Sequence, residues 1–195
     1  MTDLANNAAK IHEHGTRADG IVKGMLEHSR GKSGEFQTVD LHDLLEEYIN
    51  IAYHGMRARQ ADFNVTIEKE YDESVGKIPL VPQDISRVFL NILNNAFEAV
   101  HESGGNQPPT VWITSANRGE TVEIRIRDNG PGIPEKIRKE IFNPFFTTKP
   151  TGRGNTGLGL SISHDIVVKV HRGEIKVTSK EGEFTEFLIL LPKEK

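Results

Sequence analysis

The stretch FLNILNNAFEAV, residues 89–100, decides the fold. With each residue advancing about 100° around a helix, Phe89, Ile92, Leu93, Ala96 and Val100 gather on one side, and Ile85 and Val88 extend the same arc upstream. Such a helix must press that arc onto a sheet. Asn91 and Asn95, four residues apart, fall together at the edge of the arc, while Asn94 points away and is expected in solvent. Asparagine is a mediocre helix former, so a pair at a core boundary calls for a reason. One is an amide oxygen facing a phosphate-bound cation; the other is two ordinary boundary residues.

Working outward, Pro82 opens this helix near Gln83, and Gly104–Gly105 end it beyond Glu102. Upstream, Asp40 is a good N-cap for a helix through Leu44, Leu45, Tyr48, Ile51 and Ala52. FNVTIEKEY, residues 63–71, alternates Phe63, Val65 and Ile67 with polar residues and predicts a strand. Downstream, TVWITSAN (110–117) and TVEIRIRD (121–128) predict two strands turning at Arg118–Gly119. Residues 134–142 predict a short helix, residues 145–156 a mobile loop, and residues 156–170 a third long helix. Strands near 174–179 and 184–191 close the chain. The order lacks the strict alternation of a doubly wound sheet. The expected fold is an α/β two-layer sandwich: a mixed β-sheet packed against three helices, preceded by a long N-terminal helix.

That first helix is predicted from Leu4, Ala8, Ile11, Gly15, Ala18, Val22, Met25 and Ser29, which recur at alternating steps of four and three. The seam is narrow and polar-flanked, which favours pairing with a partner helix, although Gly24 weakens it locally. RGKSGE, residues 30–35, predicts a hinge. Residues 1–35 are therefore set apart from a domain at 36–195.

Composition limits what this domain can do. A net charge of −4 provides no basic field for nucleic acid. No apolar run approaches the roughly 20 residues that span a bilayer, no signal-peptide core opens the chain, and there is no cysteine for disulfide or thiolate chemistry. His12 and His14 are better read as a solvated face than as metal ligands, since no further ligand follows at helical spacing.

Two further segments carry chemistry. RDNGPGIPEK (127–136) puts Asp128 at a strand end before a turn through Gly130 and Gly132, where the backbone can approach a ligand closely; a plain turn is the alternative. TGRGNTGLGLSIS (151–163) gathers Gly152, Gly154, Gly157 and Gly159 at a helix start, where free amides suit phosphate oxygens. Gly152, Gly154 and Gly157 also satisfy Gly-x-Gly-x-x-Gly. No apolar strand leads into them, and no Val-Ala-Ile-Lys, His-Arg-Asp or Asp-Phe-Gly segment and no full Gly-x-x-x-x-Gly-Lys-Ser/Thr loop occurs, so Rossmann, protein-kinase and Walker readings fail.

In this order the segments resemble the catalytic domain of sensor histidine kinases, in the Bergerat-type ATPase superfamily. FLNILNNAFEAV resembles the N box, RDNGPGIP the first glycine box, IFNPFFTTKP (141–150) the F box and TGLGLSIS (156–163) the second glycine box. The resemblance covers roughly residues 40–192, and the heptad helix resembles the second helix of the dimerisation and phosphotransfer hairpin. It implies ATP and Mg²⁺ as ligands, with Asn95 on the metal, Asn91 near the triphosphate and Asp128 accepting from the adenine amino group. Gly130, Gly132 and Ile133 would shape the adenine pocket. Thr156, Gly157, Leu158, Gly159 and Leu160 would line the phosphate side, with backbone amides offered by Gly157 to Gly159. Phe142, Phe145 and Phe146 would anchor a lid that also brings Thr147, Thr148 and Gly154 to the nucleotide. Asn91, Lys149 and Arg153 would be the catalytic set, the last two as phosphate contacts.

Two departures matter. ATP-hydrolysing relatives place a glutamate base where Asn91 stands, and a neutral amide cannot activate water, which favours phosphoryl transfer. Many histidine kinases place a phosphate-touching lysine where this chain has Glu98. KEGEFTEFLILLP (180–192) also lacks the usual glycine-rich turn and has Glu183 and Phe184 instead. The implied activity is transfer of the ATP γ-phosphate to a histidine in the cytoplasm, with an acceptor helix, a response-regulator receiver domain and a second copy of the chain as partners. Alternatives are a non-catalytic ATP-binding module and a serine-directed kinase of the anti-sigma type. His12–Glu13 lacks the following proline of an acceptor segment, so the expectation is a piece of a longer kinase that starts after the acceptor helix. In analytical ultracentrifugation the chain should self-associate through Ile11, Ala18, Val22 and Met25, and Val22→Asp should yield a monomer. A wild-type monomer at high concentration, unchanged by the substitution, rules this out.

Overall fold

A computed structural model describes residues 34–103, 107–149 and 156–194, together with Asn7 and Gly15, which are helical and exposed. The rest of the predicted heptad helix, its histidines, most of the hinge, the Gly104–Gly105 stop, and Gly152, Arg153 and Gly154 lie outside the described residues.

Strand β1 (Gln37–Asp40) leads directly into helix α1 (Leu41–Arg59). Asp40 caps α1 as expected, its carboxylate accepting from the backbone N–H groups of His42 and Asp43. Next come β2 (Thr66–Tyr71), β3 (Lys77–Leu80) and helix α2 (Pro82–Glu102), with proline in its first turn. β4 (Thr110–Asn117) and β5 (Thr121–Asp128) coincide with the predicted strands. Helix α3 (Glu135–Arg138) is a single turn, shorter than the predicted 134–142.

Helix α4 (Gly159–Asp165) is followed by a π-wound turn, Ile166–Val170. The third helix thus starts later than predicted and changes pitch before it ends. That turn delivers His171 into the interior, where Nδ1 donates to Ile166 O (2.9 Å) and Nε2 accepts from Val81 N–H (3.0 Å). Val81 precedes α2, which has no side-chain cap, so the imidazole satisfies a backbone donor left orphaned at a helix start. Burial holds the imidazole pKa below its ordinary value.

Strands β6 (Glu174–Lys180) and β7 (Phe184–Pro192) complete a five-stranded sheet in the order β2-β4-β5-β7-β6. β2 runs parallel to β4 and every other pairing is antiparallel. This mixed sheet, layered against α1, α2 and α4, is the α/β sandwich anticipated. β1 and β3 form a separate antiparallel ribbon, which escaped the sequence reading because both strands are only four residues long. β2 starts three residues later than predicted. Phe63 and Val65 are buried but precede the register, which opens at Thr66 opposite Thr110.

The predicted arc of α2 is buried, and it is wider than expected. Phe97 is also fully buried, with its ring against Phe63 (5.7 Å between centroids) and Tyr53 (6.4 Å). The helix is covered by α1 as well as by the sheet, and the same crowding leaves Asn94 half-buried instead of solvated. Phe97→Ala should cost about 3–5 kcal/mol and Asp40→Ala about 1 kcal/mol in urea unfolding, because a large core void outweighs a lost cap. Equal costs would show that Phe97 sits in a site that collapses freely.

Candidate functional site

The edge of α2 faces three loops at one end of the sheet. At Asn91, Nδ2 donates to Gly159 O (3.0 Å) and to Ser163 Oγ (3.2 Å), and Ser163 Oγ in turn donates to Gly159 O (2.9 Å). The amide therefore holds the first turn of α4 against α2. Ser163 is fully buried and was missed in the sequence, where its position four residues after Gly159, on the same helix face, was the available signal.

One turn along, Asn95 Oδ1 accepts from Lys149 Nζ at 3.2 Å, and the same ammonium is ion-paired with Glu98 Oε2. Glu98 thus stands beside a lysine supplied from a distant segment. The Lys149 backbone is steadied by its N–H, which donates to Thr147 Oγ1 (3.1 Å). Thr148 is exposed.

Asp128 ends β5 on its core face and is 3% exposed. Its Oδ1 accepts from Gly130 N–H at 2.9 Å. Burial raises its pKa from 3.8 to about 6, against the pull of the Gly130 and Thr185 backbone groups and of Arg127. Gly130 packs so closely on α2 that a Cβ there would lie 2.8 Å from Ala99 Cβ. Gly132, at φ +71°, leaves no room for a side chain, since a Cβ would approach Lys180 O to 2.3 Å. The turn after β6 is thus the floor of this loop: Gly182 N–H donates to Pro131 O (2.7 Å) and Ile133 N–H to Ser179 Oγ (2.7 Å). Beside it the Arg127 guanidinium sits 4.0 Å over the Phe184 ring, a contact made by one of the residues that replace the glycine-rich turn. Asn129 is structural, with Oδ1 accepting from Thr110 N–H (2.8 Å) and Nδ2 donating to Pro108 O (2.9 Å).

Phe142 and Phe146 pack on the core, Phe142 lying 6.4 Å from Phe187 between ring centroids. Phe145 does not anchor there. It is 40% exposed and adopts φ +66°, and the close contact is made by its backbone: a Cβ on Gly157 (φ +69°) would lie 2.5 Å from the Phe145 carbonyl carbon. Thr156, Gly157, Leu158, Gly159 and Leu160 are half-buried at the start of α4. Of the sequence-predicted set, the fold gathers Asn91, Asn95, Lys149, Gly130 and the Gly157–Gly159 turn around one edge of α2, with Asp128 and Gly132 in the adjoining loop. Among the described residues no group of three or more His, Asp or Glu side chains is arranged to hold a metal. No described helix is long and apolar enough to cross a membrane.

A sandwich of this topology, with an asparagine-edged helix facing two glycine turns, defines an ATP-binding domain of the Bergerat type. Residues 80–195 match the family described as Histidine kinase-, DNA gyrase B-, and HSP90-like ATPase, and the chain belongs to that family. It is 35% identical over 173 residues to the signal transduction histidine-protein kinase AtoS of Escherichia coli, a match covering 88% of this chain and 26% of AtoS. With the sensor histidine kinase ZraS of the same organism it shares 31% identity over 176 residues, 90% of this chain and 35% of ZraS. Among solved structures, the catalytic domain of histidine kinase ThkA superposes with a TM-score of 0.68 at 31% identity, covering 82% of this chain and 97% of that domain. The chain spans about a quarter to a third of the length of these two full kinases.

Asp128 makes stability pH-dependent. Its native pKa is raised, so between about pH 4 and pH 6 the native state keeps a proton that the unfolded chain has lost. Stability falls as pH rises through that window and levels above it, by about 3 kcal/mol for a displacement from 3.8 to about 6. Asp128→Asn should therefore be more stable than wild type at pH 8 and should flatten the slope between pH 4 and 6 in urea titrations. Parallel pH profiles for the two proteins would place the carboxyl in a solvated setting.

Proposed function

We propose that residues 36–195 bind ATP with Mg²⁺ and transfer the γ-phosphate to a histidine presented by a dimerisation hairpin, of which residues 1–35 supply one helix and the linker. The observation that carries this reading is the convergence of Asn95, Asn91 and the Gly157–Gly159 turn on one helix edge, with the buried Asp128 in the next loop. Asp128 offers a carboxylate oxygen to an amino group from a buried, poorly solvated position, where a hydrogen bond is worth more than in water. Gly130 and Gly132 let the loop that carries it close onto Ala99 of α2 and onto the Lys180 backbone, where no side chain would fit.

The residues fit Mg²⁺, since Asn95 Oδ1 already accepts from a cation, and a metal that keeps most of its ligands as phosphate oxygens and water needs few from protein. When bound, Mg²⁺ supplies charge neutralisation of the triphosphate. Asn91 orients. Its Nδ2 is committed to Gly159 O and Ser163 Oγ, which holds the helix start and its backbone amides in place, and its neutral amide provides no base for water. Catalysis then rests on positioning, as suits transfer to a histidine nucleophile. A receiver domain as the next acceptor, a second copy of the chain as hairpin partner and a cytoplasmic setting follow from the same reading.

Calorimetric titration with a non-hydrolysable ATP analogue and Mg²⁺ should show binding that weakens below about pH 6, as the Asp128 carboxylate takes up a proton. Asp128→Asn should lose at least tenfold in affinity, consistent with about 1.4 kcal/mol for a charge-assisted hydrogen bond. With a separately made acceptor hairpin and labelled ATP, acid-labile phosphate should appear on histidine. Unchanged affinity in Asp128→Asn removes the adenine assignment, and binding without transfer leaves an ATP-binding module.

A further inference from the structure

We propose that Lys149 is an exchangeable cation that occupies the metal-ligand side of the site before nucleotide arrives, and that Glu98 is the positioning residue that sets how readily this lysine leaves. The inference rests on the ATP and Mg²⁺ reading above. Asn95 and Glu98 stand three apart on α2, so both side-chain oxygens project to the same side of the helix. One ammonium satisfies both: Lys149 Nζ donates to Asn95 Oδ1 at 3.2 Å and pairs with Glu98 Oε2. The pair is partly shielded, with the Lys149 and Glu98 side chains 29% and 23% exposed.

The arrangement has electrostatic consequences in two directions. A carboxylate one turn from the proposed metal ligand would repel a triphosphate, and the lysine cancels that repulsion while the site is free. The same ammonium uses the Asn95 oxygen that a divalent cation needs, so metal and lysine compete for one acceptor. The contest is settled by what else each can bind. An ammonium on a flexible four-carbon stem can leave Glu98 for a phosphate oxygen while its backbone stays fixed by Thr147. Glu98 holds it back. Position 98 carries a carboxylate that recruits its cation from residue 149, which makes the cation removable.

The test is calorimetry of the full chain with the non-hydrolysable analogue, in EDTA and in saturating Mg²⁺, for wild type, Glu98→Gln, Lys149→Met and the double variant. Without metal, Glu98→Gln should bind roughly five- to tenfold more tightly than wild type, and Lys149→Met several-fold more weakly, in the range of close charge pairs. The gain in affinity on adding Mg²⁺ should be smaller than wild type in Glu98→Gln and larger in Lys149→Met. The benefit of Glu98→Gln should shrink when Lys149→Met is already present, the non-additivity expected of contacting residues. An identical Mg²⁺ gain in all chains overturns the proposal. So does an equal benefit of Glu98→Gln with and without the lysine, which would leave simple charge repulsion. Wild type failing to bind the analogue in either buffer overturns the ATP-site reading and this proposal with it.

Discussion

The site depends on how α2 is buried. Its apolar arc is covered by the sheet and by α1 together, and along one edge of that arc the side chains of Asn91, Asn95 and Glu98 stand half-buried and in line. Steps of four and three residues make that alignment unavoidable in a helix. Each position then engages a different part of the chain. Asn91 takes the start of α4, Asn95 and Glu98 take Lys149, and Ala99 takes the backbone of Gly130. Segments far apart in sequence are thus referenced to one rigid element, and a shift of α2 would displace all of them at once.

The glycines belong to the same constraint. At Gly132 and Gly157 the backbone has positive φ, and the space where a side chain would project is filled by another loop's backbone, Lys180 in one case and Phe145 in the other. These loops therefore lean on each other and not on side-chain packing. Phe145 can therefore be solvent-exposed in its ring while its main chain packs against Gly157. The turn after β6 contributes backbone groups to Pro131 and Gly132, and Phe184 adds a carbonyl that accepts from Ser179 Oγ and a ring contact with Arg127.

What was legible in the sequence follows from which interactions leave a periodic trace. Asp40 as a cap, the arc of α2, and β4 and β5 to the residue were all readable, because helix and strand periods and cap chemistry are local signals. The β1–β3 ribbon was not, since its strands are too short to show a period. Nor was the π-wound turn, which leads into a residue bonded across the fold: His171 Nε2 accepts from Val81 N–H at the start of α2. Asn95, Asp128 and the glycines were legible as types suited to nucleotide chemistry. The bonds from Asn91 to Ser163, from Ile133 to Ser179 and from Lys149 to Asn95 were not legible, because a hydrogen bond between elements leaves no mark on either one alone. Glu98 illustrates the limit: in the sequence it reads as a missing cation, and in three dimensions the cation stands beside it.

These partners imply how such a site can be both stable and receptive. Asn91 Nδ2, Asn95 Oδ1 and Asp128 Oδ1 each have an intramolecular partner, so none carries the cost of an unsatisfied buried polar group. A ligand arriving here gains by exchange, replacing an existing hydrogen bond with a better one, and the balance at each position differs. The Asn91 bond is internal scaffolding and has no reason to break. The Asp128 carboxylate is poorly solvated, as its raised pKa indicates, and still has acceptor capacity beyond its Gly130 bond, so a new donor there meets little competition. The Asn95 oxygen is held by a charged donor with a second anchor on Glu98, so a ligand there must displace an ammonium and not a neutral group. On the ATP reading proposed above, the Asp128 end can accept a donor directly, while the Asn95 end must first give up Lys149, an exchange that suits a ligand carrying both an amino-bearing ring and its own negative charge.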